Sequence, residues 1–549
     1  MIQQKIKGKI AFFLVFISLF SFRSISQSNG FELIKNMEIM DLINEHLEKY
    51  YVDEPQFGHL SKVGIDAMLK ELDPYTVYYH ESNMEDYKMM TTGQYGGIGS
   101  LIRKIGEHTF IAEPYEGNPA EKAGLKAGDK IISIDGKSMV SKPSDEVSSS
   151  LKGPKGTSIK IEVEREGEGL KIISVTRDEI KLPDVPYSGM LSSTVGYVKL
   201  NSFTQTASDD VKKAMESLKS KGMTEMVLDL RGNGGGLLIE AVKIVNLFVK
   251  KGQVVVTTKG RVSEENRVYN TQDDPLDMTI PLTVLIDEGS ASASEIVSGS
   301  LQDLDRAVII GTTSYGKGLV QRTYDLKYGS KMKLTIAKYY TPSGRCVQRL
   351  EYYDNAEGEK PKEISDSLLK KFKTSTGREV IDGRGIEPDI TIDEKELSRL
   401  SATIYSNNLI FNYATKFHIK NPSIAAAGIF KLSDEQYNDF KKYVLAETFT
   451  YSTASEEVLE KMKKTAEEEG YYADSKAEYE ALLAKVIPSK ERDLEKFKEE
   501  IKILLENEII SRYYFQKGRA EDSFRTDLSI AKSLVLLKNS KEYNTILGK

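Results

Sequence analysis

Apolar segments typical of strands alternate with amphipathic segments typical of helices from Val185 onward. The segments that predict strands are short and rich in Val, Ile and Leu, whereas the helical ones carry apolar residues at three- and four-residue spacing. The predicted strands are 195–200, 226–230, 254–258, 282–286 and 307–310, with later strands over 331–340 and 385–392, and the predicted helices are 208–221 and 237–250. This alternation predicts an α/β fold in which helices pack on a largely parallel sheet.

A turn of small residues joins the predicted strand 282–286 to the helical pattern that begins near Ile296. A serine on such a turn has an exposed hydroxyl and backbone N–H groups nearby, as an acyl-transfer nucleophile needs. The chain has no histidine between Val185 and Asp393 that could act as its base. It has Lys317, which is flanked by glycines just after the strand 307–310. We therefore expect serine–lysine catalysis.

The run GSASASEI, followed by YGKGLVQ, resembles the carboxyl-terminal processing (tail-specific) proteases. This resemblance implies a crotonase/Clp-protease-like α/β core in which Ser292 is the nucleophile, Lys317 the general base and Gln321 the residue that orients the lysine. It covers roughly residues 35 to 395, and it continues through 228–237, 339–345 and 385–390.

A lysine acts as a base only when it is uncharged. Its ordinary pKa is about 10.4, and burial in an apolar pocket can lower this by about 3 units. Gln321 could hydrogen-bond the amine of Lys317 without adding charge, whereas a carboxylate would raise the lysine pKa. An uncharged partner is therefore the one that suits the chemistry.

A tetrahedral intermediate needs hydrogen-bond donors for its oxyanion. The N–H of Ala293 is one candidate, because it follows the expected nucleophile. The resemblance implies that the other donor is a glycine in the segment that contains Gly235 and Gly236, and we favour Gly236. The Gly-rich turn could instead hold a phosphate, but no Gly-Lys-Ser/Thr follows it, which argues against a nucleotide site.

Three other interpretations were considered. Ser314 and Lys317 formally spell the S-x-x-K motif of penicillin-recognising enzymes, although the neighbouring glycines argue against the helix that this motif requires. Glu295 could simply cap or brace the helix after the nucleophile. The protein could also be a catalytically silent binding or scaffold protein, since the same fold carries ligand-binding relatives.

The region after Thr92 begins with Gly96, Gly97, Ile98 and Gly99 and contains short predicted strands over 100–105, 109–114 and 130–134. The segment 118–136 resembles a PDZ domain. The glycine-rich stretch could present N–H groups to the carboxylate of a peptide, and the next strand could pair with that peptide. The predicted helix 144–151 carries mostly small side chains, so we expect protein or peptide substrates with apolar C-termini.

Composition excludes several classes of function. The net charge is −6, from 76 basic and 82 acidic residues, so the chain lacks the basic footprint of a nucleic-acid-binding protein. The single Cys346 rules out an internal disulfide and matches no metal-ligand cluster. We expect no metal and no organic cofactor.

The first 26 residues resemble a secretory signal peptide. Three lysines precede an apolar core over 10–22, which is short for a membrane span of about 20 residues. Small residues follow, so cleavage between Ser26 and Gln27 and a periplasmic or secreted location are expected, with an uncleaved anchor as the alternative.

The chain thus divides into five predicted parts. They are a signal peptide (1–26), an N-terminal helical segment (27–92), an inserted PDZ domain (93–180), a Ser/Lys protease core (181–396) and a helical C-terminal extension (397–549). A polar insert over 351–378 is predicted to be a loop. A homo-oligomer, and an adaptor bound by the C-terminal extension, are left open.

Overall fold

The structure is a computed structural model that describes residues 24–81, 84–352, 361–393 and 396–549. Most of the predicted signal peptide therefore lies outside the described residues. Within these ranges, no helix combines the length and the apolar character that crossing a membrane requires. The described chain forms a multidomain α/β protein, which confirms the predicted fold class.

A six-stranded sheet forms the centre of the catalytic core. Its strand order is β10-β11-β12-β15-β16-β23, in which only β10 is antiparallel to its neighbour. The strands are β10 (Tyr187–Met190), β11 (Val195–Lys199), β12 (Glu225–Asp229), β15 (Leu282–Ile286), β16 (Val308–Gly311) and β23 (Ile390–Thr391). Every residue of β15 is buried, as expected for a central strand of a parallel sheet with both faces covered.

Helices cover both faces of this sheet. The first face packs against α6 (Ala207–Ser220), α7 (Leu238–Asn246) and α8 (Ala293–Asp303). The opposite face packs against α16 (Leu528–Lys538) and α17 (Ser540–Ile546), at the end of the chain. The last two helices of the predicted C-terminal extension therefore belong to the core of the catalytic domain.

A second, antiparallel sheet lies beside the first. Its order is β1-β18-β13-β14, with β17 also paired to β18. The strands are β1 (Val77–Tyr79), β13 (Val254–Gly260), β14 (Arg267–Asn270), β17 (Leu319–Asp325) and β18 (Lys331–Tyr340). The predicted strand 254–258 thus exists, but in this sheet rather than in the parallel one.

The region between β18 and β23 contains less strand than predicted. Only Ile390–Thr391 of the predicted strand 385–392 is a strand. The described part of the polar insert and the chain after it form short pairs: β19 (Leu350–Glu351) with β20 (Lys362–Glu363), and β21 (Lys371–Lys373) with β22 (Glu379–Ile381).

The PDZ domain is a sheet of order β3-β4-β5-β7-β8, with β6 paired to β5. Its elements are β3 (Ser100–Ile105), β4 (His108–Pro114), α4 (Pro119–Lys122), β5 (Lys130–Ile134), β6 (Lys137–Ser138), α5 (Ser144–Leu151), β7 (Ser158–Arg165) and β8 (Gly169–Thr176). Strands β2 (Gln94–Gly97) and β9 (Asp178–Lys181) pair with each other where the chain enters and leaves the domain.

A helical domain follows the catalytic core. Its helices are α9 (Arg399–Ser406), α10 (Leu409–Lys420), α11 (Asp434–Ala446), α12 (Ala454–Glu469), α13 (Tyr472–Val486), α14 (Lys490–Lys496) and α15 (Lys498–Ser523). It contacts the PDZ domain, where the Arg103 guanidinium lies 5.0 Å from the Phe411 ring and Arg519 pairs with Glu113. The helical domain thus joins the PDZ domain to the catalytic core.

The N-terminal helices are α1 (Ser24–Tyr50), α2 (Phe57–Lys70) and α3 (Met84–Thr92). Large apolar side chains of α1 are exposed to solvent, including Phe31, Ile34, Met37, Met40 and Ile43. The turn between α2 and β1 reaches the catalytic core, because β1 pairs with β18.

Candidate active site

Ser292 occupies a strained position at the start of α8. It is the N-cap residue of this helix, with φ 57° and ψ −109°, a conformation that residues other than glycine rarely adopt. Such strain is typical of active sites, where the surrounding structure holds it. All eleven residues of α8 are buried, so the helix fixes the turn firmly in the core.

Glu295 joins the expected nucleophile to the loop of the expected base. Its buried carboxylate accepts hydrogen bonds from the N–H groups of Ser292 (2.8 Å), Gly316 (2.7 Å) and Lys317 (2.9 Å), and from the hydroxyl of Ser314 (2.6 Å). Burial raises the pKa of the Glu295 carboxyl, and these four donors act in the opposite direction. Glu295 therefore braces both loops as well as the helix.

The environment of Lys317 favours the neutral form of its amine. Burial lowers the pKa of its amine to about 8, and the charge of Lys333 adds to this effect, while Glu295 and Asp73 oppose it. Its Nζ lies 4.0 Å from the centroid of the Tyr75 ring. Among the described residues, no hydrogen bond joins Lys317 Nζ to the hydroxyl of Ser292.

The predicted oxyanion donors line the same cavity as Ser292, and Gly235 lies directly against it. A side chain at Gly235 would lie 2.9 Å from the Ser292 Cβ, and one at Gly236 would lie 2.4 Å from the Phe203 carbonyl oxygen. The Gly235 N–H is donated to Asn233 Oδ1, whereas in the described part of the chain the N–H groups of Gly236 and Ala293 have no such partner. This difference favours Gly236 and Ala293 over Gly235 as donors.

Gln321 lies on strand β17, and among the described residues no hydrogen bond joins its side chain to the amine of Lys317. Its side-chain amide donates to the hydroxyl of Thr335 at 3.1 Å. The Thr335 N–H in turn donates to the hydroxyl of Thr76 at 3.2 Å. Gln321 is therefore connected to the N-terminal segment through Thr335.

One cavity collects these side chains. Its volume is about 490 Å³, and its lining includes Ser292, Lys317, Gln321, Gly235, Gly236 and Ala293. Tyr339 lies in its wall and donates its hydroxyl to the Ser292 carbonyl at 3.1 Å. The six residues predicted from separate motifs thus share one concave site.

Sequence reasoning missed Tyr75 and Tyr339 as residues of the site, and it gave Glu295 a lesser role. The sequence offers one signal near Tyr75, the Leu-Asp-Pro-Tyr-Thr stretch 72–76, which is typical of a turn and not of a catalytic site. Tyr339 belongs to a segment that was noted only for its resemblance. No local pattern distinguishes either tyrosine from an ordinary core residue.

Asp229 and Arg231 fix the start of the Gly-rich turn that lines the cavity. Asp229 is buried and accepts hydrogen bonds from Tyr197 (2.6 Å) and from Arg231. Burial alone would raise the pKa of Asp229, but Arg231 and Lys199 hold it well below its usual range. Arg231 also pairs with Asp527 at 2.7 Å, which links the Gly-rich turn to the C-terminal helices.

The predicted peptide-binding residues lie at the entrance to the PDZ domain. Gly96 and Gly97 belong to β2, which pairs with β9. Ile98 is buried in the PDZ core, and Gly99, with φ 70°, immediately precedes β3. The stretch therefore leads into the strand that is expected to pair with a peptide.

The alternative S-x-x-K site does not fit the structure. Ser314 is fully buried, donates to Glu295 and accepts from the N–H of Ile386, so its hydroxyl has structural partners and no access to a substrate. Lys317 lies in a loop with it rather than on one helix face.

Burial raises the pKa of the Cys346 thiol, as expected for an unreactive cysteine. The described residues contain no cluster of metal-ligating side chains.

Three family models match separate parts of the chain. The model described as "Peptidase family S41" matches residues 194–353, and that described as "PDZ domain" matches residues 110–165. The model described as "Probable PDZ-protease, C-terminal helical domain" matches residues 400–537. These matches coincide with the catalytic core, the PDZ sheet and the helical domain.

Curated relatives cover most of the chain. A "Carboxy-terminal-processing protease" of Bartonella bacilliformis is 36% identical over 399 residues, which is 71% of this chain and 87% of the relative. A "Probable CtpA-like serine protease" of Staphylococcus aureus is 33% identical over 371 residues, which is 67% of this chain and 66% of the relative.

Among solved structures, a photosystem II D1 C-terminal processing protease is 27% identical, with a TM-score of 0.36, and the match covers 64% of this chain and 86% of that chain. The PDZ domain of a carboxy-terminal protease from Vibrio cholerae, solved with a peptide, is 32% identical, with a TM-score of 0.16. That match covers 16% of this chain and 99% of the other.

Proposed function

The chain belongs to peptidase family S41, the carboxy-terminal-processing serine proteases, and we propose that it cleaves protein substrates through a Ser292–Lys317 dyad. One observation carries this proposal. A serine on a strained strand-to-helix turn and a lysine with a lowered pKa line one cavity, and Glu295 binds the backbone of both.

The proposed reaction begins when neutral Lys317 accepts the proton of the Ser292 hydroxyl as this oxygen attacks the peptide carbonyl. The N–H groups of Gly236 and Ala293 then stabilise the oxyanion, each by roughly 3 kcal/mol. The Lys317 ammonium returns its proton to the leaving amine, and an acyl-enzyme remains. Water, activated by the same lysine, releases the acyl product.

Substrate selection is assigned to the PDZ domain. A peptide C-terminus would lie between β3 and α5, with its carboxylate at Gly96–Gly99. Val147 and Leu151 of α5 are buried in the domain, so the wall facing a peptide is formed by smaller residues such as Ser148. Small side chains on this wall leave room for the terminal side chain of the peptide, and we propose that this side chain is apolar.

We also propose that the protein acts outside the cytoplasm, in the periplasm or after secretion, because residues 1–26 have the pattern of a signal peptide. N-terminal sequencing of the Ser292→Ala chain from fractionated cells tests this. A mature chain that begins near Gln27 in the non-cytoplasmic fraction is expected, and a full-length chain in the cytoplasm would contradict it.

Two partner assignments go with the proposal. The exposed apolar side chains of α1 support a homo-oligomer, since such surfaces on soluble proteins mark interaction sites. Light scattering of the chain with Met37→Lys and Ile43→Lys should then show a smaller mass than the unaltered chain. The charged hairpin of α12 and α13 is the proposed docking surface for an adaptor.

The dyad is tested with an unfolded protein substrate that ends in three apolar residues. Ser292→Ala and Lys317→Ala should abolish cleavage while circular dichroism remains unchanged, and Gln321→Ala should reduce the rate less. The matched control is the same substrate with three acidic terminal residues, which should be cleaved more slowly. Full activity of either dyad variant would reject the mechanism, and equal cleavage of both substrates would reject the assignment to the PDZ domain.

A further inference from the structure

The turn Asp73–Thr76 lies against the catalytic loop although it precedes that loop by about 240 residues of chain. The buried Asp73 carboxylate accepts hydrogen bonds from the N–H groups of Tyr75 and Thr76, both at 2.8 Å, and from the Thr76 hydroxyl at 2.9 Å. A side chain that binds the backbone two and three residues later stabilises a turn. The position of Tyr75 is therefore fixed by its own turn.

Tyr75 contacts the lysine and the loop that carries it. The centroid of its ring lies 4.0 Å from Lys317 Nζ, well within the distance of a cation–π contact. Its hydroxyl is hydrogen-bonded to the hydroxyls of Tyr352, at 3.0 Å, and Tyr315, at 3.3 Å. Tyr315 is only two residues from the lysine. The ring is therefore anchored at the lysine loop through its hydroxyl.

The same turn reaches the second companion of the dyad. The Thr76 hydroxyl contacts Thr335, whose hydroxyl accepts the side-chain amide of Gln321 at 3.1 Å. Tyr75 thus contacts Lys317 directly, and its neighbour Thr76 is connected to Gln321 through Thr335. This turn lies outside residues 194–353, which match the peptidase model.

We propose that the turn Asp73–Thr76 is part of the active site and that Tyr75 is the positioning residue of Lys317, covering its amine and holding it by the ring face. The inference rests on the proposed role of Lys317 as general base. The ring has two opposite effects on the amine. Its negative face stabilises the ammonium, and its bulk excludes water, which destabilises the ammonium.

Replacement of Tyr75 can separate these effects because the charged groups that act on Lys317, namely Lys333, Glu295 and Asp73, remain in place. Tyr75→Leu keeps an apolar cover but removes the aromatic face, so the Lys317 pKa should fall by about half a unit. Tyr75→Ala opens the site to water, so the pKa should rise by about one unit toward the ordinary value of about 10.4. Tyr75→Phe keeps the ring face and the apolar cover and loses only the hydroxyl anchor, so the pKa should change less than in either of these variants.

The pKa is measured in the full Ser292→Ala chain by competitive acetylation with acetic anhydride across pH, followed by mass spectrometry of the peptide that contains Lys317. The pH dependence of kcat/KM is measured in parallel with Ser292 present. The acid limb of this profile should move to lower pH in Tyr75→Leu and to higher pH in Tyr75→Ala. As a matched control, Tyr472→Leu removes another ring stacked on a lysine, with Lys463 Nζ at 5.3 Å, and should change neither measurement.

Shifts of opposite sign in the Leu and Ala variants support the positioning role, since a purely structural tyrosine would only lower kcat. Folded variants whose Lys317 pKa is unchanged, or moves in one direction in both, overturn it. If Tyr75→Ala does not fold, the Lys317 pKa in Tyr75→Leu is compared with that in Tyr75→Phe, and a lower value in the Leu variant supports the proposal. Full activity of Lys317→Ala would instead reject the dyad, while the acetylation result would still report on the contact with Tyr75.

Discussion

At the scale of single residues, the lowered pKa of Lys317 makes the fold less stable, and the proposed mechanism depends on the same lowered pKa. Its folded-state pKa of about 8 lies below the ordinary value, so between these values the unfolded chain binds a proton that the folded chain does not. The free energy of unfolding contributed by Lys317 therefore rises with pH across this window, and its cost is complete below about pH 8. Because the proposed base is the neutral amine, kcat/KM should rise with pH and reach half its maximum near pH 8.

We therefore expect Lys317→Met to be inactive and yet more stable at pH 7, by about 1–3 kcal/mol. Urea denaturation measures this difference, which should disappear as the pH approaches about 10.5. Lys338→Met, which replaces an exposed lysine on β18, should change stability little at either pH. A loss of stability in Lys317→Met at pH 7 would show that the lysine is a structural cation.

Glu295, in contrast to Lys317, is expected to stabilise the fold. Its buried carboxylate accepts hydrogen bonds from four donors. Glu295→Gln replaces one acceptor oxygen with an NH₂ group that faces N–H donors. We expect a loss of about 2–4 kcal/mol in the free energy of unfolding and slower acylation of Ser292 by a fluorophosphonate probe. The exposed neighbour Glu288 provides the control, since Glu288→Gln should do neither. Unchanged acylation in Glu295→Gln would limit its role to the helix cap.

That Ser292 and Lys317 line one cavity was predictable from sequence, because each lies in a short motif whose local structure follows from strand, turn and glycine patterns. The covering of Lys317 by Tyr75 was not, because that contact joins residues about 240 apart. The four donors to Glu295 come from two loops, and a single sequence offers no signal of which loops will meet. Residue types and their spacing therefore predicted a serine–lysine site, whereas the surroundings of each side chain depend on tertiary contacts.

At the scale of elements, the Gly-rich turn after β12 can be tested with two neighbouring glycines. Gly236 has φ 150°, and an added Cβ would lie 2.4 Å from the Phe203 oxygen, whereas nothing lies within 4 Å of a Cβ at Gly234. Gly236→Ala must therefore displace the turn and its N–H, which should reduce kcat by about 100-fold or more. Gly234→Ala should retain most activity. Equal rates in both variants would remove Gly236 from the oxyanion site.

Elements with strong local signals were predicted closely. The bounds of Ser100–Ile105, Lys130–Ile134, Ser144–Leu151 and Lys331–Tyr340 agree with the structure. The segment 254–258 was assigned to the wrong sheet, because a run of Val and Thr predicts a strand without specifying the strand it pairs with. The segment 385–392 was overestimated because glycine and proline limit the pairing to Ile390–Thr391.

At the scale of the whole molecule, the C-terminus completes the catalytic domain. Strand β15 alternates its contacts, with Val284 facing the core under α8 and Leu285 facing the C-terminal helices. The Tyr543 hydroxyl accepts from the N–H of Leu282 and donates to its carbonyl, and Asp527 pairs with Arg231. A sequence pattern of buried strands requires two covering layers, but it does not identify the distant helices that supply the second one.

Removal of residues 524–549 should therefore prevent the catalytic sheet from folding, because it exposes the face that Ile530, Leu536, Leu537, Tyr543 and Leu547 cover. A milder test is Leu537→Ala, which should lower the free energy of unfolding by about 2–5 kcal/mol.

The matched control deletes the hairpin 454–486 and closes the gap with a short Gly-Ser linker. The ends of this hairpin meet where Thr453 Oγ1 donates to the Val486 carbonyl at 3.2 Å. In that hairpin only Leu459 and Tyr479 are buried, so the control should keep its cleavage activity and its thermal midpoint. A chain without residues 524–549 that still unfolds cooperatively and cleaves substrate would show that the sheet needs no second layer.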